Sequence, residues 1–311
     1  MSTTIDNSHR AAVERASTIK RVAEILSDID SLPVVARQGA PLPSQARVRE
    51  IVALCRRLLF PGFFGDGALT RDNAVYHMGV DAEALLDVAT EQIAAALRFD
   101  NCATEECLTE CAAKRAIRLL ESLPAMRHVL QMDVDATFDG DPAATSRAEV
   151  IFSYPGFRAT VSHRIAHQLC MLEVPVLPRM IAEMAHNETG IDIHPAASIG
   201  EGLMIDHGTG VVVGATAIIG RNVKLYQGVT LGARSFVRDA DHNPVKGLPR
   251  HPVVGDNVVI YSNTTVLGRI TIGAGAVIGG NLWVTESVAP GERLVQAAPD
   301  NIIRVNNKPQ P

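Results

Sequence analysis

The sequence predicts an α+β protein in which an N-terminal all-helical domain is followed by a left-handed parallel β-helix of hexapeptide repeats with an extruded loop. Between Ile193 and Val284 an aliphatic or alanine residue returns at every sixth position. The series runs through Ile193, Ile199, Ile205, Val211, Ala217, Val223 and Val229, then Val254, Ile260, Val266, Ile272, Ile278 and Val284. A period of six fits neither an α-helix nor an alternating strand, but it suits a solenoid whose short faces each take one hexapeptide and send one residue inward. The period breaks once, at about 230–253, where the chain turns polar, charged and proline-containing and the repeat resumes one residue out of phase. A loop leaves the coil there.

From about Ala11 to His186 the apolar spacing is helical. Val48, Ile51, Cys55, Leu58 and Leu59 follow Ser44 as an expected N-cap, and Leu85, Ala89, Ile93, Ala96 and Leu97 share one face of a later helix. A third stripe, Leu108, Ala112, Ala116, Leu119 and Leu123, begins after Thr104 with Glu105 and Glu106 in a first turn that favours negative charge. Pro41-Leu42-Pro43, Pro61-Gly62, Pro124 and Asp139-Gly140-Asp141-Pro142 read as loops between about seven helices. The expected division is a helical domain over 1–187, the β-helix over 188–290 and a loose tail over 291–311.

Composition bounds the function. A chain of 311 residues with 47% hydrophobic and 20% charged residues has room for two soluble globular domains. A net charge of −5 with no basic stripe argues against nucleic-acid binding. No apolar run has the length of a membrane span and the start lacks a signal peptide, so a cytoplasmic protein is expected. Cys102, Cys107 and Cys111 lack paired zinc-site spacing and read as helical thiols in a reducing compartment. His163 and His167 lie four apart on a helical pattern without an acidic third ligand, so they read as packing residues and no metal is expected. His194, before Pro195, reads as a structural turn residue.

The first coils contain Asp192-Ile193-His194-Pro195-Ala196-Ala197-Ser198-Ile199-Gly200 and then Ile205-Asp206-His207-Gly208-Thr209-Gly210-Val211-Val212-Val213-Gly214. Upstream lie Asp141-Pro142-Ala143, Gly156-Phe157 and Arg164-Ile165-Ala166-His167, and downstream Leu231-Gly232 and Arg250-His251-Pro252. Together, over about Asp141 to Pro290, these segments resemble the signature of the serine O-acetyltransferases. The resemblance implies an acetyl-CoA-dependent acyltransferase that makes O-acetylserine from L-serine, the first step of cysteine biosynthesis, with acetyl-CoA as co-substrate and no tightly bound cofactor.

The residue types fit that chemistry. Acyl transfer to an alcohol needs a base near neutrality, and His207 is the candidate. Counting three hexads per coil places Gly210 above Asp192 and His207 half a face away. Asp192 would then hold the second imidazole nitrogen and complete the dyad that the resemblance assigns. With both substrates bound, the serine hydroxyl attacks the acetyl carbonyl directly and no acyl-enzyme is implied. By resemblance, Asp141 and Asp206 contact the serine ammonium, while Arg250 and His251 contact its carboxylate, with Arg250 suited to bidentate binding. The helical domain thus completes the pocket. Gly232, Ala233, Tyr261 and Ser262 match CoA-contacting positions; Tyr261 departs from the family's frequent glycine.

The extruded segment Ala233–Pro249 is longer and more charged than the family's short glycine-rich loop, and Lys246 within it reads as solvated. A homotrimer or a dimer of trimers is expected by analogy with the fold. The C-terminus lacks the terminal isoleucine by which many members dock into O-acetylserine sulfhydrylase, so that partner is not expected. Three alternatives stand beside this reading. An acetyltransferase for another small hydroxy amino acid would share its ammonium and carboxylate contacts. A γ-carbonic anhydrase needs two zinc histidines five apart in one segment, which the coils do not offer. A non-catalytic β-helix used for assembly would leave the six polar residues without a shared purpose.

Overall fold

A computed structural model describes residues 2–28, 41–65, 69–98 and 105–297, with the side chains of 2–10 and 105 excepted. Two compact units separate at Leu42/Pro43. The first contains α1 (Ser2–Leu26), whose side chains from Ala11 onward are all exposed.

The second unit opens with α2 (Gln45–Leu59), α3 (Ala74–Leu97), α4 (Glu105–Gly140), α5 (Arg147–Ser153), α6 (Pro155–Met171) and α7 (Leu177–Thr189). The stripes read from the sequence on α2, α3 and α4 are buried in one core. Pro124 does not break the chain but lies inside α4. A proline removes one helical hydrogen bond, yet Leu119, Leu123, Met126 and Leu130 all bury on the same side, and that burial carries the helix through. Ser44 precedes α2 in extended backbone without a side-chain cap; its N–H instead donates to Gln92 Oε1 on α3 at 2.7 Å. The expected cap at Thr104 lies outside the described residues. No described helix is long and apolar enough to cross a membrane.

After the left-handed Gly190 the chain enters a left-handed β-helix. Its first face stacks β1 (Asp192–Ile193), β4 (Val212–Val213), β7 (Thr230–Gly232), β10 (Thr265–Leu267) and β13 (Trp283–Val284). The second stacks β2 (Ser198–Ile199), β5 (Ile218–Ile219), β8 (Val253–Val254) and β11 (Thr271–Ile272). The third stacks β3 (Met204–Asp206), β6 (Lys224–Tyr226), β9 (Val259–Ile260), β12 (Val277–Ile278) and β14 (Arg293–Leu294). All strand pairs are parallel, and the inward aliphatics form a continuous core.

The register corrects the coil count. Asp192 pairs with Val212 rather than Gly210, so the first coil is two residues longer than three hexads. The extra length falls in the turn after β3, where His207, Gly208 and Gly210 take left-handed backbone (φ 55°, 87° and 79°). Beyond it the strand-centre positions are Val213, Ile219, Leu225 and Leu231, while Val211, Ala217, Val223 and Val229 fill buried corners two residues earlier. Loop 233–252 leaves after β7 and returns at β8, and β7 pairs directly with β10 across the gap. Within it a short antiparallel bridge joins Arg238 to Pro244.

Helices and solenoid are locked by a buried ion pair. The Arg164 guanidinium on α6 donates twice to Asp133 on α4, at 2.7 and 2.8 Å, and also to the carbonyls of Ile199 and Gly200. Asp133 Oδ1 in turn accepts from the Leu203 N–H, so one carboxylate ties two helices to the first coil.

Candidate functional site

The candidate residues gather at two edges of the solenoid. The first edge is the turn between β3 and β4. Asp206 ends β3, and His207 projects beside it with its side chain 75% exposed and Nε2 3.9 Å from Asp206 Oδ1. Helix α4 brings Asp141 to this edge. Its Oδ1 accepts from the Ala143 N–H at 2.8 Å, its Oδ2 accepts from Tyr154 Oη at 2.6 Å, and both bonds hold its carboxyl below the ordinary range. His207 and Lys224 add smaller favourable charges, and Lys224 Nζ donates to Gly140 O at 2.5 Å. Gly156 permits this docking of α6 on β3, because a Cβ there would overlap the Ile205 carbonyl oxygen.

The second edge is the turn after β4, reached by the returning loop. Thr216 Oγ1 accepts from the N–H groups of Arg250 and His251, at 2.9 and 3.1 Å. The Thr216 N–H donates to His251 Nδ1 at 3.1 Å, so the neutral ring carries its proton on Nε2 and presents a donor. The His251 ring lies against Gly214, where any Cβ would collide with it. Arg250 Nε is buried without a partner, and its guanidinium lies 5.8 Å from the centre of the Phe236 ring. His194 lies close enough to feel the charges of Arg250 and Asp192, and its Nδ1 accepts from the Ala196 N–H.

Burial, with the charges of Arg250, His194 and Arg269, pushes the His251 imidazole down to about 4, and burial holds His163 well below its ordinary value. An imidazole that stays neutral in the fold but charges in the unfolded chain stabilises the fold above pH 6.5, and that contribution is lost as pH falls toward 4. Stability is therefore expected to drop through this window, and less steeply in His251→Asn. Equal losses for both proteins in denaturant titrations at pH 7 and pH 5 would exclude this.

The two edges flank the first face, so within one chain the structure joins Asp141 to Asp206 and His207, and Arg250 to His251, but not one set to the other. The positions matched to CoA divide in the same way. Gly232 ends β7 and Ala233 follows it at the second edge, while Tyr261 and Ser262 follow β9 at the first. Tyr261 stacks on Tyr226 (centroids 4.9 Å apart, planes 18° apart), and Tyr226 pairs in register with Asp206. Asp192 lies on the outer side of the first face and makes no ion pair with His207. Its carboxylate instead has Glu183 and His186 of α7 within 4.8 Å, two neighbours the sequence reading missed although they stand just ahead of the helix stop at Gly190. Tyr154, Thr216 and Gly214 were also missed, since only the fold brings them to these residues.

Residues 251–286 match the bacterial transferase hexapeptide (six repeats) family model. A plasmid serine acetyltransferase of Synechococcus elongatus is 43% identical over 300 residues, covering 93% of this chain and 94% of the relative. The structure of Entamoeba histolytica serine acetyltransferase 1 in complex with L-cysteine superposes with a TM-score of 0.70 at 35% identity, over 79% of this chain and 86% of that one. A serine acetyltransferase complexed with CoA superposes with a TM-score of 0.51 at 26% identity, over 80% and 95%. With 43% identity sustained along nearly the whole of both sequences, the chain belongs to the serine acetyltransferase family.

Proposed function

We propose that the chain transfers an acetyl group from acetyl-CoA to the hydroxyl of L-serine, giving O-acetylserine and CoA, as the first step of cysteine biosynthesis in the cytoplasm. One observation carries the reading: two carboxylates and an exposed imidazole share one edge, and an arginine with a buried, unpartnered Nε waits at the other. These are complementary to the ammonium, hydroxyl and carboxylate of a free amino acid. Asp141 and Asp206 take the ammonium; Arg250 and the Nε2–H of His251 take the carboxylate.

His207 removes the hydroxyl proton as the serine oxygen bonds to the acetyl carbon. The carbon–sulfur bond breaks, and the imidazolium returns the proton to the departing CoA thiolate. The exposed His207 ring turns toward Asp192, which then stabilises the imidazolium. Because the two edges lie on either side of one face, each complete site takes the first edge of one copy and the second edge of its neighbour. A homotrimer, alone or paired into a dimer of trimers, supplies that arrangement. Pantetheine then runs between Gly232-Ala233 of one copy and Tyr261-Ser262 of the next. The helices 1–187 serve assembly and bring Asp141 to the pocket; residues 188–290 carry the chemistry.

The test is thiol release from acetyl-CoA with a panel of serine, homoserine and threonine. Serine-dependent release is expected. Faster release with homoserine or threonine would move the activity to another hydroxy amino acid, and no release with any would leave an assembly protein. Arg250→Ala is expected to raise the serine KM at least tenfold with a smaller effect on the acetyl-CoA KM, since a charge-assisted bidentate contact contributes about 1.5–3 kcal/mol. An unchanged serine KM removes Arg250 from the carboxylate site.

A further inference from the structure

We propose that Tyr154 is a positioning residue for the substrate ammonium: its hydroxyl fixes the Asp141 carboxylate in the orientation that binds serine. The inference rests on the ammonium reading of Asp141 given above. Tyr154 stands at the junction of α5 and α6 in extended backbone (φ −77°, ψ 119°), held there by Pro155 at the start of α6. The next residue, Gly156, sits against the Ile205 carbonyl, one residue before Asp206. The tyrosine is thereby anchored to the strand that carries the second acid while it hydrogen-bonds the first, which comes from the end of α4.

Asp141 is pinned at both oxygens, Oδ1 by the Ala143 N–H and Oδ2 by Tyr154 Oη at 2.6 Å. Neither donor is charged, so the carboxylate keeps its full negative charge and its remaining lone pairs for an incoming cation. A tyrosine has one proton to give. Having given it to Asp141, its oxygen can only accept, so Tyr154 adds an acceptor beside the acids and no competing donor. The phenol proton is firmly held: the bond to Asp141, then burial and the charges of Asp141, Glu149 and Asp206, push the Tyr154 hydroxyl up to about 12. Asp206 contributes the smallest of these charges, so both acids assigned to the ammonium act on the one hydroxyl. Without this bond Asp141 is held only through Oδ1 by the Ala143 N–H, and the substrate must itself order Oδ2 on binding.

The experiment measures steady-state kinetics of Tyr154→Phe, Asp141→Asn and the double variant, each checked for native thermal unfolding; phenylalanine keeps the ring and its packing. Tyr154→Phe is expected to raise the serine KM about tenfold, the scale of a lost hydrogen bond to a charged group, with kcat and the acetyl-CoA KM within twofold. In the double variant the tyrosine change should add little to the Asp141→Asn effect, because the negative charge that it orients toward the ammonium is gone. A serine KM unchanged in Tyr154→Phe, equal loss on both substrates, or full additivity in the double variant would overturn the positioning role while the Asp141 reading stands. An unchanged serine KM in Asp141→Asn would instead remove the ammonium assignment, and the role of Tyr154 with it.

Discussion

Replacing His207 with alanine should lower kcat by about 10²–10⁴-fold, the range general base catalysis contributes, with at most a few-fold change in the serine KM. The alcohol of serine is barely ionised near neutrality, so the proton must leave as the oxygen attacks. Among the described residues at the first edge, His207 is the imidazole, the side-chain type suited to that task. Its exposure and its left-handed backbone place the ring out from the turn, where two substrates can reach it. The structure puts the Asp206 carboxylate 3.9 Å from His207 and gives Asp192 no ion pair with it, and double variants separate the two. If Asp192 orients the imidazole, Asp192→Asn loses activity in the wild-type background and almost none in His207→Ala, because residues acting as a unit are non-additive. If Asp206 does, that pattern belongs to Asp206→Asn, and Asp192 leaves the mechanism. A His207→Ala kcat within tenfold of wild type would discard the base itself.

The aliphatic period was legible because the interior of a narrow solenoid admits only apolar side chains of limited size, and every coil repeats the demand. The extra two residues of the first coil were not. Val211 is buried at a corner just as Val213 is buried in a strand, so a six-residue count passes through the slip without a break. That slip carried a wrong neighbour for Asp192, Gly210 in place of Val212, and it sits in the turn that bears the candidate base. Pro124 misled for the opposite reason: local chemistry opposes a helix there, and burial of its neighbours overrides it. The candidate polar residues could be named by resemblance, but their division between two edges depends on which face each coil has reached. Thr216 and His251 meet across 35 positions, and Tyr154 meets Asp141 only because α5 and α6 fold back on α4.

Replacing Asp133 with alanine should destabilise the helix–solenoid unit by about 3–5 kcal/mol, the cost of stranding one partner of a buried ion pair. Asp133 is fully buried and the Arg164 side chain is 10% exposed, so neither charge has ready access to water. Desolvation pushes the Asp133 carboxyl above its ordinary range, and the Arg164 charge with the backbone N–H groups of Leu203 and Gly202 opposes that. The pair as a whole need not stabilise the fold strongly, since each ion has lost its hydration. Removing one member is different: Arg164 keeps only the carbonyls of Ile199 and Gly200, and the Leu203 N–H loses its acceptor. A second change discriminates between charge and packing. Asp133→Ala/Arg164→Leu removes both charges and should recover much of the loss, whereas a defect due to lost volume would deepen. Urea titrations of the wild type, Asp133→Ala, Arg164→Leu and the double variant at constant protein concentration measure this. Because the same pair fixes α4, and Asp141 directly follows α4, any residual activity of Asp133→Ala should show a raised serine KM. A single variant with wild-type stability and wild-type serine KM would mean that the helices hold their place on the first coil without the clamp.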